Sequence, residues 1–223
     1  DIDTESKKNS HEEILNKFTN ENIDILIGTQ MVVKGHHFPN VTLVGVIAAD
    51  GSLNIEDYRA NERTFQILVQ VAGRAGREKE KGRVIIQTYN PENLCIEYSK
   101  KQDYEMFFNT EIALRKQLKY PPLCDIIIFG ISSKNEEEVK KISNKLYSLL
   151  KKNIKKYNVP IELFMPVAAP ISKIKNRYRW RIIGKCKLNN KVVDVVNKTL
   201  EEYYSFGFKE TRIVADINPN SMM

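Results

Sequence analysis

Short apolar runs alternate with amphipathic stretches along the first ninety residues. Residues 24–28, 41–48 and 82–88 are apolar and rich in β-branched side chains, a pattern typical of buried strands. Residues 11–20 and 57–72 instead carry apolar side chains at helical spacing. Because continuous apolar strands alternate with helices, this part of the chain predicts a parallel sheet that is covered on both faces.

The pattern changes after residue 90. Residues 93–119 predict a helical connector, which ends at the Pro121-Pro122 pair. After it come a strand, a helix, two strands, a helix and a strand, predicted at residues 124–132, 135–157, 161–167, 178–186, 191–204 and 211–217. This βαββαβ order favours a small ferredoxin-like α+β domain. We therefore predict an α/β chain divided at residues 1–90, 91–120 and 121–223.

Charge is distributed unevenly between these parts. Residues 1–120 hold 16 Lys and Arg against 18 Asp and Glu, whereas residues 121–223 hold 19 against 10. The net charge of +7 therefore comes from the C-terminal part, which is the candidate for binding a polyanion.

Several classes of protein are not indicated. The three cysteines are far apart and form no C-x-x-C pair, so we expect neither a disulfide framework nor a zinc site, as in a reducing cytoplasm. His36 and His37 have no clustered cysteine or carboxylate partners, and no metal site is predicted there. No apolar run has the length of a membrane span, so we expect no membrane partner.

Residues 70–77, Gln-Val-Ala-Gly-Arg-Ala-Gly-Arg, carry the densest group of candidate functional residues. Gly73 lets the backbone turn tightly and approach a bound group closely. Arg74 and Arg77 supply planar, permanently charged guanidinium groups, which suit phosphate oxygens. The alternative interpretation is a surface loop with two solvated arginines.

A second candidate site follows the predicted strands. Ligands of parallel sheets bind beyond the carboxyl ends of the strands. Thr29 and Gln30 follow the first strand and lead to Lys34 and Gly35, and Asp50 follows the second strand. A threonine hydroxyl and a lysine can bind phosphate oxygens, and a glycine offers an unobstructed backbone N–H.

These motifs resemble those of known helicases. Residues 70–77 resemble motif VI of superfamily 2 helicases, and the stretch that begins Gly28-Thr29-Gln30 resembles motif V. Longer runs are similar to the primosomal replication-restart helicases, the family of primosomal protein N′: G-T-Q-M-x-x-K-G-H-H-F-P-N-V-T-L-V, A-D-G-S-L-N-x-x-D-Y-R-A-x-E-R, R-Y-R-W-R and V-A-D-I-N-P. The resemblance covers essentially the whole chain.

The resemblance implies a function for each motif. Residues 1–90 are then part of the second RecA-like motor domain of an ATP-dependent 3′→5′ DNA helicase. The resemblance assigns catalysis to Gln70, Arg74 and Arg77, nucleotide binding to Gly73, Arg74, Arg77 and Asp50, and DNA binding to Thr29, Gln30, Lys34 and Gly35. It also implies a role in recognising stalled replication forks and reloading the replication machinery.

Other family motifs are missing from the sequence. It has no G-x-x-x-x-G-K-[ST] phosphate loop, no acidic D-E-x-H magnesium motif and none of the family's zinc-binding cysteines. We therefore expect a C-terminal fragment without ATPase activity of its own. ATP and Mg²⁺ would be bound mainly by the missing motor domain, and Zn²⁺ by another part of the full-length protein.

The predicted strand at 178–186 and the residues before it are strongly basic. No acidic residue occurs from Leu163 to Val193. In an extended strand Arg177, Arg179 and Arg181 lie on one face, while Tyr178, Trp180 and Ile182 lie on the other and pack in the core. With Lys173 and Lys175, these arginines are candidates for binding DNA phosphates.

Expected partners follow from the same resemblance. They are forked and single-stranded DNA, other primosome proteins, and the acidic tail of single-stranded-DNA-binding protein, which we expect at Arg177 and Arg181. Two alternatives remain open: a non-catalytic nucleic-acid-binding module with a degenerate motor fold, and an RNA-binding or ribosome-associated protein.

Overall fold

The structure is a computed structural model that describes residues 10–21, 23–29, 38, 41–73, 82–207 and 210–222. It has a mixed α/β fold with one parallel and one antiparallel sheet among these residues. The chain divides into two units: unit 1 comprises residues 1–55 and 60–109, and unit 2 comprises residues 56–59 and 110–223.

Unit 1 is built around a short parallel sheet. Its elements are α1 (Ser10–Asn20), β1 (Leu43–Val46), α2 (Asp50–Leu53), α3 (Ala60–Ala72), β2 (Arg83–Ile86), α4 (Leu94–Lys101) and the first residues of α5 (Tyr104–Leu118). Strands β1 and β2 pair in parallel, with Val44 opposite Val84, which confirms the predicted direction.

Helix α3 forms the core of unit 1. Its Leu68 is buried with Ala49 and Ile96, and its Phe65 stacks on Phe107 with the ring centroids 4.2 Å apart. Large buried aromatic and aliphatic side chains stabilise such contacts through the apolar area that they remove from water. This packing fixes the helix that leads directly to Gly73.

Three predictions for unit 1 differ from the structure. Residues 23–28 form no strand, and Ile25 and Ile27 have 74% and 88% of their surface exposed. β-branched side chains favour a strand only in a packed sheet, and among the described residues this segment has no hydrogen-bonded neighbouring strand. Strands β1 and β2 are likewise half-exposed rather than covered on both faces, and α3 begins at Ala60 rather than residue 57.

Unit 2 is an antiparallel sheet with two helices. Its elements are β3 (Asp125–Ser133), α6 (Glu136–Tyr157), β4 (Ile161–Leu163), β5 (Val167–Ile174), β6 (Arg177–Cys186), α7 (Asn190–Tyr204) and β7 (Arg212–Ile217). The strands lie in the order β4-β6-β3-β7, and β5 also pairs with β6. Every pair that they form is antiparallel.

The sequence predicted one strand where the structure has β4 and β5. Strand β5 was missed because it contains Pro170 and small residues, which have little preference for strands. Strand β5 pairs with β6, and its register shifts between Ala168 and Lys173, so the missing N–H of Pro170 is tolerated. A two-residue loop, Lys175-Asn176, joins β5 to β6 with φ of 47° and 59°, as in type I′ hairpins.

Both helices of unit 2 pack on the same core. Asn135 caps α6 by accepting a hydrogen bond from the N–H of Glu138, and Asn189 caps α7 through the N–H of Val192. The core contains side chains of α6, α7 and alternate positions of the strands, including Phe129, Ile131, Leu146, Val192, Ile182 and Ile213. Tyr178 and Trp180 pack against this core, which confirms the predicted alternation along β6.

Candidate functional site

The face of the unit 2 sheet opposite α6 and α7 carries the basic residues of β6. Arg179 and Arg212 lie opposite Ser132 on the two strands that flank β3. One row further, Arg181 and Val214 lie opposite Gly130. We call this the open sheet face; it brings together arginines from two strands that are not neighbours.

A cavity of about 310 Å³ lies on the open sheet face. Arg179, Arg181, Arg212 and Met222 are among the residues that line it. Gly130 is part of its lining, and a Cβ atom added there would meet only the carbonyl oxygen of Val214, at 3.9 Å. The missing side chain therefore helps to leave the hollow open.

Arg181 is held by residues of unit 2 that are distant in sequence. Its side chain is buried, with Nη1 donating to the carbonyl oxygen of Met222 at 2.5 Å and Nη2 lying 3.0 Å from Oε2 of Glu56. Its Nε atom is buried without a hydrogen-bond partner. A buried donor left in this state is costly.

Arg177 is also held within the unit. Its Nη2 donates to the carbonyl oxygens of Ser132 and Glu210, both at 2.8 Å. These bonds join β6 to β3 and to the residues before β7. Arg177 therefore stabilises the sheet, and its charge is half-buried beside the open sheet face.

The remaining basic residues make fewer internal hydrogen bonds, and Arg179 is half-buried like Arg177. Arg179 makes a long contact of 3.4 Å with the carbonyl oxygen of Ile171. Lys173 lies over the ring of Tyr178, 4.5 Å from its centroid, and Lys175 is exposed in the hairpin loop. Arg212 is exposed on β7 and was missed by the sequence reasoning. Its alternation with Val214 and Asp216 in the predicted strand at 211–217 is the signal that could have found it.

Asp50 is the candidate residue of unit 1 with the clearest local geometry. It lies beyond the carboxyl end of β1, as predicted, and accepts hydrogen bonds from the N–H of Tyr89 at 2.9 Å and the hydroxyl of Thr88 at 2.8 Å. These two bonds, the Tyr89 N–H first, hold the pKa of Asp50 below its usual value. Its carboxylate thus joins the segments that follow β1 and β2.

The other candidate residues of unit 1 are described only in part. Thr29 is exposed, Gln70 is exposed in the last turn of α3, and Gly73 donates its N–H to the carbonyl oxygen of Val69 at 3.1 Å. The remaining predicted residues lie outside the described part of the chain: Gln30, Lys34, Gly35, Arg74 and Arg77. Their roles stay predictions.

Two further properties bear on the site. Among the described residues, no group of three or more His, Cys, Asp or Glu side chains could hold a metal ion. The helices in the same part of the chain include none that is long and apolar enough to cross a membrane.

Comparisons with known proteins match both halves of the chain. The helicase conserved C-terminal domain matches residues 1–79, and the primosomal protein N C-terminal domain matches residues 116–220. The replication restart protein PriA of Bacillus subtilis (strain 168) is 41% identical over 224 residues, which cover 100% of this chain and 28% of that protein. The chain belongs to the PriA family.

Other PriA proteins give similar values. The PriA of Synechocystis sp. is 42% identical over 83% of this chain, and the PriA of Borreliella burgdorferi is 40% identical over 90% of it. The chain spans 22% and 30% of the length of these two relatives. The predicted resemblance to the primosomal replication-restart helicases is thereby confirmed.

Among solved structures, the de novo designed protein Foldit4 matches with a TM-score of 0.33 and 11% identity, over 44% of this chain and 98% of its own. A TM-score this low supports no conclusion about the fold of this chain.

Proposed function

We propose that this chain is the C-terminal region of an ATP-dependent 3′→5′ DNA helicase that acts in replication restart. The observation that carries the proposal is the match to PriA proteins along the whole chain, a range that spans residues 70–77. In this proposal unit 1 is part of a RecA-like motor domain. Unit 2 is a ferredoxin-like domain, which its strand order β7-β3-β6 with β4 and β5 at the far edge supports.

Each motif has a role in this reaction. Arg74 and Arg77, with Gln70, would stabilise the negative charge that develops as the γ-phosphoryl group of ATP is transferred. Thr29, Gln30, Lys34 and Gly35 would hold the backbone of the DNA strand, and Asp50 would couple the two sites. ATP and Mg²⁺ would be bound mainly by residues of the longer protein that this chain lacks, and Zn²⁺ elsewhere in it. The chain alone is then inactive as an ATPase.

Unit 2 would supply the contacts to partners. The open sheet face combines a cavity with the guanidinium-bearing side chains of Arg179, Arg181 and Arg212 in its lining. An acidic peptide offers carboxylate oxygens to these arginines, so we propose this face as the site for the acidic tail of single-stranded-DNA-binding protein. Fork DNA and other primosome proteins, encountered in the cytoplasm, are the further partners proposed.

The test of the function uses Arg77 in the longer protein of which we propose this chain to be a part. Arg77→Ala should lower DNA-stimulated ATP hydrolysis by about 10³-fold or more, because an arginine finger acts mainly on charge that develops in the transition state. Nucleotide binding should stay nearly unchanged. ATP turnover close to that of the unchanged protein would contradict the proposal.

A further inference from the structure

Helix α6 presents a second cationic surface, on the side of the unit 2 sheet away from Arg179. Between Glu138 and Glu162 the sequence has no acidic residue. The helix carries seven exposed lysines in this interval: Lys140, Lys141, Lys145, Lys151, Lys152, Lys155 and Lys156. We call them the α6 lysine surface. Its opposite side, with Val139 and Leu146, is buried against the sheet.

The lysines are arranged as a wide and convex patch. With 3.6 residues per turn, all seven lie within an arc of about 160° around the helix axis. With a rise of 1.5 Å per residue, Lys140 and Lys156 are about 24 Å apart along the axis. The patch is therefore two lysines wide and about four turns long, on the convex surface of a single helix.

The α6 lysine surface has little internal compensation. Lysines four residues apart, such as Lys151 and Lys155, repel each other along a helix. Lys152 pairs with Glu202 at 3.2 Å, and Lys145 lies over the ring of Phe206, 4.0 Å from its centroid. Within the described residues the structure gives no ion pair to the other exposed lysines at positions 140, 141, 151, 155 and 156. A polyanion that binds there would relieve this repulsion.

We propose that the α6 lysine surface binds the phosphate backbone of duplex DNA. Single strands are usually held in a cationic groove with aromatic side chains that stack on the bases. A convex patch two lysines wide suits the broad, rigid surface of a duplex better. Contacts of this kind are independent of base sequence and are made by releasing counterions. The patch and the open sheet face lie on opposite sides of one sheet, so a duplex on one does not block the acidic peptide that we propose for the other. The inference goes beyond the proposed function, since it uses none of the residues assigned there.

The test compares two triple variants of the 223-residue chain. The first is Lys141→Gln, Lys151→Gln and Lys155→Gln, three exposed lysines that are replaced by a residue of similar helix preference. The probe is a fluorescein-labelled 30-base-pair duplex, titrated by anisotropy at several salt concentrations. Affinity should fall about tenfold at low salt, and the slope of log K against log salt should become shallower by about 2 to 3.

The control variant is Lys100→Gln, Lys101→Gln and Lys116→Gln. It also removes three positive charges, but from exposed positions on α4 and α5. It should bind the duplex as the unchanged chain does. The charge-retaining variant Lys141→Arg, Lys151→Arg and Lys155→Arg should also bind normally. The single variant Lys151→Gln, which changes the fold least, should make the slope shallower by about 0.9.

Binding of the duplex by the first variant within twofold of the unchanged chain would overturn the proposal. Equal loss in the control variant would also overturn it, because net charge alone would then explain the effect. A loss seen only with a 30-nucleotide oligothymidylate would contradict the assignment to duplex DNA. Binding of an acidic peptide should be the same in all these variants, which separates this test from that of the open sheet face.

Discussion

Nη2 of Arg181 lies 3.0 Å from Oε2 of Glu56, although the two residues are 125 positions apart in the sequence. The arginine side chain is 11% exposed and the glutamate side chain 71%, so the pair joins a buried cation to an accessible anion. An acidic ligand that binds Arg181 would therefore compete with Glu56 for it.

Glu56→Gln should strengthen the binding of an acidic peptide to the open sheet face. The change removes the competing charge, and an ion pair that is open to solvent on its glutamate side contributes about 0.2–1 kcal/mol, equivalent to a gain in affinity of about 1.5- to 5-fold. Anisotropy titration with a labelled acidic peptide measures it. The matched control is Glu97→Gln, which breaks an exposed pair with Lys100 in unit 1 and should leave peptide affinity unchanged.

Gly130→Val should block the cavity without changing any charge. A Cβ atom at Gly130 would meet only the carbonyl oxygen of Val214, at 3.9 Å, and valine suits a strand, so the protein should fold and its peptide affinity should fall severalfold. The contrasting variant is Gly184→Val, because a Cβ atom there would lie 3.2 Å from Cγ2 of Ile161. That variant should lower the melting temperature. Unchanged peptide affinity in a folded Gly130→Val variant would exclude the cavity as the binding site.

Asn153→Ala should destabilise unit 2. Nδ2 of Asn153 donates to Oγ1 of Thr199 and to Oε2 of Glu202, both at 3.0 Å, and so joins α6 to α7 within the core. Losing a buried hydrogen-bonding group costs about 1–3 kcal/mol of the free energy of unfolding. Urea denaturation followed by Trp180 fluorescence measures it. Asn144→Ala on the exposed side of α6 should change stability by less than about 0.5 kcal/mol, and equal effects of the two changes would contradict the assigned role.

Asp50 should make the stability of unit 1 dependent on pH. Hydrogen bonds from Tyr89 and Thr88 lower the pKa of Asp50 in the folded state. The stabilisation is therefore fully present above the pKa of the unfolded chain, about 3.9, and is lost as the pH falls through the folded value. Asp50→Asn should lower the urea midpoint at pH 7, and the difference from the unchanged chain should shrink below about pH 4. The exposed Asp24→Asn serves as control; a difference independent of pH would contradict this account.

The alternation of apolar and polar residues correctly predicted which side chains of β6 lie on each face of the sheet. The alternation along β6 placed Arg179 on one face and Ile182 on the other, because successive side chains of a strand point to opposite sides. The contact of Arg181 with Glu56 could not be predicted, since no local pattern joins residues so far apart. The segment at residues 24–28 was misassigned because a strand depends on a neighbour that its own sequence does not reveal.

The most direct test of the account concerns the arginines of the open sheet face. Arg212 is exposed and the half-buried Arg179 makes one long contact, whereas Arg177 and Arg181 hold the fold together through internal hydrogen bonds. The measurement is the affinity of the 223-residue chain for a labelled acidic peptide at low and moderate salt, before and after Arg179→Glu with Arg212→Glu. The control is Lys100→Glu with Lys116→Glu, which changes the net charge equally. We expect the arginine variant to lose about tenfold or more in affinity at low salt and less at moderate salt, with an unchanged melting temperature. Affinity equal to that of the control variant at both salt concentrations would contradict the account.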